Sequence, residues 1–183
     1  MACNKLSSGR CRNTCGNIGG IKGVWMANVE DVDFSTMVKT QGAISELELE
    51  TGTGIAWYFF QPNKYSSNWT DEAQSGDNGL TGWLQTLNLV FSKNETALRD
   101  TVNELAQSEV VAIAENADGT MWFLGEEGNG LLTTTATSNS GVAASDLNGW
   151  TLALTSTCTE PAIEVLPGEQ SALKTALATA KNC

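Results

Sequence analysis

Along most of this chain the hydrophobic positions alternate with polar ones. Residues 21–29 place Ile21, Gly23, Trp25 and Ala27 on one side and Val24, Met26 and Asn28 on the other, which predicts a strand. Residues 43–50 alternate most cleanly. Leu47 and Leu49 point one way and Glu46, Glu48 and Glu50 the other, so three carboxylates share a strand face. Residues 30–41 read as a connection, 55–60 as a short apolar strand closed by Pro62, 64–70 as its partner, and 71–79 as a loop. Residues 80–92 form a long strand with Trp83, Gln85, Leu87, Leu89 and Phe91 on one face. The period then changes. Ser92 and Glu95 have capping-box spacing, and Ala97, Leu98, Thr101, Val102, Leu105 and Ala106 follow at helical spacing, predicting a helix over 93–107.

The β-branched run 109–116, the pair Asp118-Gly119 and the return 121–124 predict a hairpin whose two-residue turn needs φ > 0 at both positions. Further strands are expected over 131–137, 150–157 and 161–166, separated by a Gly/Ser loop at 138–145 and the turn signal Asn148-Gly149. Leu173, Ala176, Leu177 and Ala180 suggest a short C-terminal helix within 169–181. The expected architecture is mainly β, an antiparallel barrel or sandwich of eight to ten strands with one packed helix. Residues 1–20 are an aperiodic arm, 21–166 the β domain and 167–183 a C-terminal extension.

Composition narrows the chemistry. The chain has 183 residues, of which 17% are charged, while Thr (21), Ser (14) and Asn (15) are abundant, a mix that favours strands and turns. Ten bases against 21 acids exclude a general nucleic-acid binder, which needs a basic face. The first 23 residues carry Lys5, Arg10, Arg12 and Lys22 and no acid, so the remainder holds 21 acids against 6 bases, a balance of −15. Such a leading segment either docks on the acidic body of another copy or is a solvated basic tail, and charge alone leaves both open. No run approaches the roughly 20 apolar residues that a membrane helix needs. Residues 1–22 read as neither signal nor transit peptide, which leads us to expect a reducing compartment and free thiols at Cys3, Cys11, Cys15, Cys158 and Cys183.

Candidate chemistry is sparse. With no His, a Ser or Cys nucleophile lacks its usual base. Glu126 and Glu127, with the Glu46/Glu48/Glu50 ladder, could supply a carboxylate pair for glycoside hydrolysis, but adjacent Glu in a turn are mostly solvated. Asp71, Asp77 and Asn78 offer calcium-type oxygens without EF-hand spacing. Gly125, Gly128 and Gly130 do not make a dinucleotide fingerprint, and the cysteine spacing lacks a zinc knuckle. We therefore expect no enzyme activity, no cofactor, no metal and no small-molecule substrate.

Two stretches carry a resemblance when taken together. The first is Met1-Ala2-Cys3, Gly9-Arg10, Cys15 and Gly19-Gly20-Ile21-Lys22. The second comprises Ala112-Ile113-Ala114-Glu115, Asp118-Gly119, Trp122-Phe123-Leu124-Gly125, Ser140-Gly141, then Asp146 through Thr155 and Pro161-Ala162. In this order they resemble tail-tube-type virion structural proteins of phages infecting Bacteroidetes, crAss-like phages included; residues 32–78 have no counterpart. The resemblance implies a β-barrel or sandwich flanked by a helix and assembled into rings, hexamers or dodecamers, in a tail tube or a connector at the neck. It implies contacts with other tail or neck proteins, genome DNA passing through without specific binding, no membrane, and a place in the virion after synthesis in the host cytoplasm. On that expectation Glu46, Glu48 and Glu50 face the bore, while Arg10, Arg12 and Lys22 form an arm that meets acidic residues of a neighbour. The competing expectation is a secreted carbohydrate-binding β-sandwich using exposed Trp and Tyr as sugar platforms.

Overall fold

Val110, Val111, Ala112, Ile113 and Ala114 are buried without interruption. A strand that is apolar on both faces has to be covered on both, and this one, β7 (Glu109–Asn116), is the centre of the molecule. A computed structural model describes residues 19–76, 79–143, 145–167 and 172–182. The strand β1 (Ile21–Asn28) lies antiparallel along one edge of β7. The other edge is shared: β8 (Met121–Leu124) takes Ala112 to Glu115, and β9 (Leu131–Asn139) takes Glu109 and Val110.

Two wings diverge from this centre. One passes from β9 to β10 (Gly149–Cys158), β6 (Gly79–Ser92) and β5 (Asn68–Gly76). The other passes from β8 to β11 (Ile163–Val165), β3 (Ala43–Leu49) and β2 (Val32–Thr40). On the far side of β1 lie β4 (Tyr58–Phe60) and then β12 (Lys181–Asn182). The fold is thus mainly β, as expected, but differs in detail. Among the described residues twelve strands form one sheet, the pairs β3–β11 and β4–β12 are parallel, and the sheet does not close into a barrel, because β2 and β5, and the two-residue β12, remain as edges.

Each face of the centre has its own core. Val110, Ala112 and Ala114 pack with Val24, Met26, Leu87, Leu89, Leu152 and Leu154, and the helix α1 (Thr96–Leu105) adds Val102 and Leu105. Val111 and Ile113 pack with Ile44, Leu47, Trp57, Phe123 and Val165, and the helix α2 (Ala172–Ala178) adds Leu173 and Leu177. The described part of the C-terminal stretch thus packs into this core through α2.

Several local expectations need correction. Residues 30–41 are not a connection: they contain β2, whose polar side chains suit an edge strand with little to bury. Residues 71–79 are not simply a loop either, since β5 runs to Gly76, paired with β6 along its length. The helix is shorter than 93–107 and has no capping box. Ser92 is held in β6 by pairing with Gly149, its Oγ meets the Asn63 side chain, and Glu95 caps without a side-chain bond. Lys93, at φ 71°, makes the break between strand and helix. In the β7–β8 hairpin only Gly119 has positive φ (87°), and the connection is four residues long, with Asp118 Oδ1 accepting the Thr120 N–H. Gly149 serves close approach: a Cβ there would overlap the Phe91 carbonyl of β6.

Candidate assembly surfaces

The two long edge strands, β2 and β5, are unlike. A row of unpaired backbone groups invites another strand, and folds blunt such edges with Lys, Pro or bulges. β2 is blunted. Its pairing with β3 shifts register twice between Asp33 and Lys39, and Asp33 Oδ1 takes the Ser35 N–H. Thr36 Oγ1 also intercepts the Glu48 N–H, and Lys39 projects to Glu160 at 3.0 Å. β5 has fewer of these devices. Its sequence, NWTDEAQSG, contains no Lys, Arg or Pro, and its register with β6 shifts only once, between Gln74 and Ser75.

The outer face of this wing is also distinctive. Trp69 packs inward and Asp71 Oδ2 accepts the Ala162 N–H, so Thr70 and Glu72 point outward. Across the register these align with Thr86 and Leu84 of β6 and Thr155 and Thr157 of β10. Among the described residues of this face on β5, β6, β10 and the paired part of β9, Glu72 is the only charged one. The chain's acidity is concentrated elsewhere.

The carboxylate ladder is divided between two settings. Glu46 is half-buried, and its two oxygens accept the N–H groups of Ala172 (3.0 Å) and Leu173 (2.7 Å) at the start of α2. Glu48 and Glu50 are exposed, and Glu50 lies just beyond β3. Glu46 is thus engaged with a helix terminus, where a carboxylate is favoured by the unsatisfied N–H groups. The sequence offered no signal for this, because the partner amides lie 126 and 127 residues away. Lys22 belongs to β1, not to an arm, and its ammonium pairs with Glu115 of the same chain. Arg10 and Arg12 lie outside the described residues, as do Asp77, Asn78 and every cysteine except Cys158.

The other candidate groups have local duties. Glu126 is held below the ordinary carboxylate range: partial burial pushes it up, but hydrogen bonds from the Thr159 N–H, Asn129 and the Thr159 hydroxyl outweigh that effect. It pins the 125–130 turn to the end of β10, where Gln85, 1% exposed, accepts the Gly125 N–H at 2.8 Å. Beside this turn is a cleft of about 250 Å³ lined by Phe34, Met37, Phe123, Glu127 and Glu160 among others. A larger cleft of about 530 Å³ separates α1 from β1 and β4. Cys158 is buried, and desolvation raises its thiol pKa. Among the described residues no group of three or more His, Cys, Asp or Glu is placed to hold a metal ion, and no helix is long and apolar enough to cross a membrane. All six Trp are buried or half-buried, leaving Tyr65, at 75% exposure, as the one exposed aromatic residue.

Comparison with family models, with curated proteins and with solved structures gives no match.

Proposed function

We propose that this chain is a phage virion structural protein whose copies close into a ring of the tail tube or head-to-tail connector, through which genome DNA passes. The observation that carries this reading is the open sheet. A sheet whose nine-residue end strand β5 pairs on one side only among the described residues is an aggregation hazard for a monomer, whereas a ring covers such an edge with the next copy. The surface charge supports the same reading. A conduit must let DNA slide, and each Lys or Arg contact to phosphate would retain it. The face of β5, β6 and β10 described above carries no base among its described residues. A sugar-binding module is less well supported, because none of the six Trp it would use as platforms is fully exposed. Trp25 Nε1 donates to the Leu177 carbonyl, and Trp69 lies against Trp122 with centroids 5.4 Å apart.

Native mass spectrometry with negative-stain imaging of the purified chain tests the proposal. The expected outcome is rings of six copies, or a multiple of six. A monomer over a wide concentration range, with no ring in the images, would refute self-assembly of the free protein.

A further inference from the structure

The described chain begins close to the start of β5, whose outer edge pairs with no other strand among the described residues. Residues 1–18, outside the described part, contain Lys5, Arg10 and Arg12 and no acid. The described chain begins at Gly19, and the Gly20 carbonyl accepts the Ala117 N–H. Tyr65, a near neighbour of Gly20, precedes the first residue of β5, Asn68, by only three positions. The point at which residues 1–18 join the described chain therefore lies beside the start of β5. At about 3.3 Å per residue its 18 residues reach about 60 Å when extended, roughly twice what nine paired residues require.

We infer that the leading segment adds as a strand to the β5 edge of a neighbouring copy. The inference rests on the assembly reading above and names its contact. Main-chain hydrogen bonds would supply the affinity and side chains the selectivity. In an extended backbone Arg10 and Arg12 share one face, and Glu72 stands exposed at the middle of the nine-residue acceptor strand. The same Glu72 disfavours the simplest rival, two β5 edges paired antiparallel about their centres, because the two glutamates would then lie directly opposite. The β2 edge is the poorer acceptor, for the bulges and the lysine already described.

Two complementary variants test this by native mass spectrometry. Deleting residues 2–18 keeps the edge and removes the strand that joins it. Thr70→Lys with Glu72→Lys keeps that strand and repels it, and both positions lie on the solvent face, so far-UV circular dichroism and the urea midpoint should stay near those of the unaltered chain. Each variant alone should need at least about tenfold more protein to assemble, and a 1:1 mixture should give a heterodimer that neither gives alone. Adding Arg10→Glu and Arg12→Glu to the lysine variant should restore assembly. Rings from both variants at unaltered concentration would overturn the edge pairing and leave the ring proposal standing. A heterodimer from a chain that never forms rings would support the pairing and overturn the ring. Lost assembly with no heterodimer in the mixture would place the segment on its own chain's edge, against the inference.

Discussion

Replacing Glu46 by Ala separates two roles for this residue, a solvated wall of a channel and a clamp on α2. The side chain accepts two backbone N–H groups, from Ala172 at 3.0 Å and Leu173 at 2.7 Å. Loss of a helix N-terminal acceptor costs about 1 kcal/mol, within about 0.5–2, and hydrogen bonds to a charged group run higher, at about 1.5–3. Glu46 is only half-buried, and Ala172 is exposed enough for water to replace part of what is lost. About 2 kcal/mol is the resulting expectation. For a chain of this size that is a fall of about 4–8 °C in Tm, or about 1 M in the urea midpoint for a slope near 2 kcal/mol/M. Glu46→Gln keeps one acceptor oxygen without the charge and should lose about half as much. Glu48→Ala, on an exposed side chain of the same strand, should stay within about 0.5 kcal/mol. Urea titrations of the three variants at neutral pH, with an unchanged slope, check the scheme. If Glu46→Ala is no more costly than Glu48→Ala, the clamp is wrong and Glu46 rejoins its neighbours as a solvated face.

Three further outcomes follow from the geometry around the 125–130 turn and the wing of β10 and β6. Because the folded pKa of Glu126 is depressed, its contribution is complete above the ordinary glutamate value and is lost as pH falls through the lower folded value; Glu126→Gln should therefore flatten the decline of the urea midpoint below about pH 4.3, and an unchanged profile would contradict the assignment. Gln85→Leu leaves the Gly125 N–H without its acceptor in a buried site and should cost about 1–3 kcal/mol by chemical denaturation; a neutral result would mean that water or a shifted turn satisfies that amide. Cys158 should react with a chromogenic disulfide reagent only at the rate at which the wing opens, since burial both shields the thiol and disfavours its thiolate; in a variant whose other four cysteines are replaced by Ser, rapid labelling under native conditions would contradict its placement.

The sequence alone was sufficient for the elements whose side chains report their surroundings. The run at Val110–Ala114 predicted a strand, and β7 and β8 begin and end where the pattern places them. Leu87 and Leu89 likewise identified the inner face of β6, because period-two alternation is enforced wherever one face is dry. Edge strands escape this rule. β2 and the second half of β5 bury little, so their polar residues read as connection and loop, and only pairing with β3 and β6 makes them strands. The apparent capping box at Ser92 and Glu95 failed for a related reason: cross-strand pairing to Gly149 holds Ser92 in β6, and a local helix signal does not outweigh a continuous ladder. The ladder of Glu46, Glu48 and Glu50 shows the limit most clearly. Alternation fixed which way the carboxylates point, since that depends on neighbours one and two residues away. What Glu46 meets there depended on α2 being carried back across the sheet by contacts of Leu173 and Leu177 with the second core, a long-range packing outcome that no local pattern encodes.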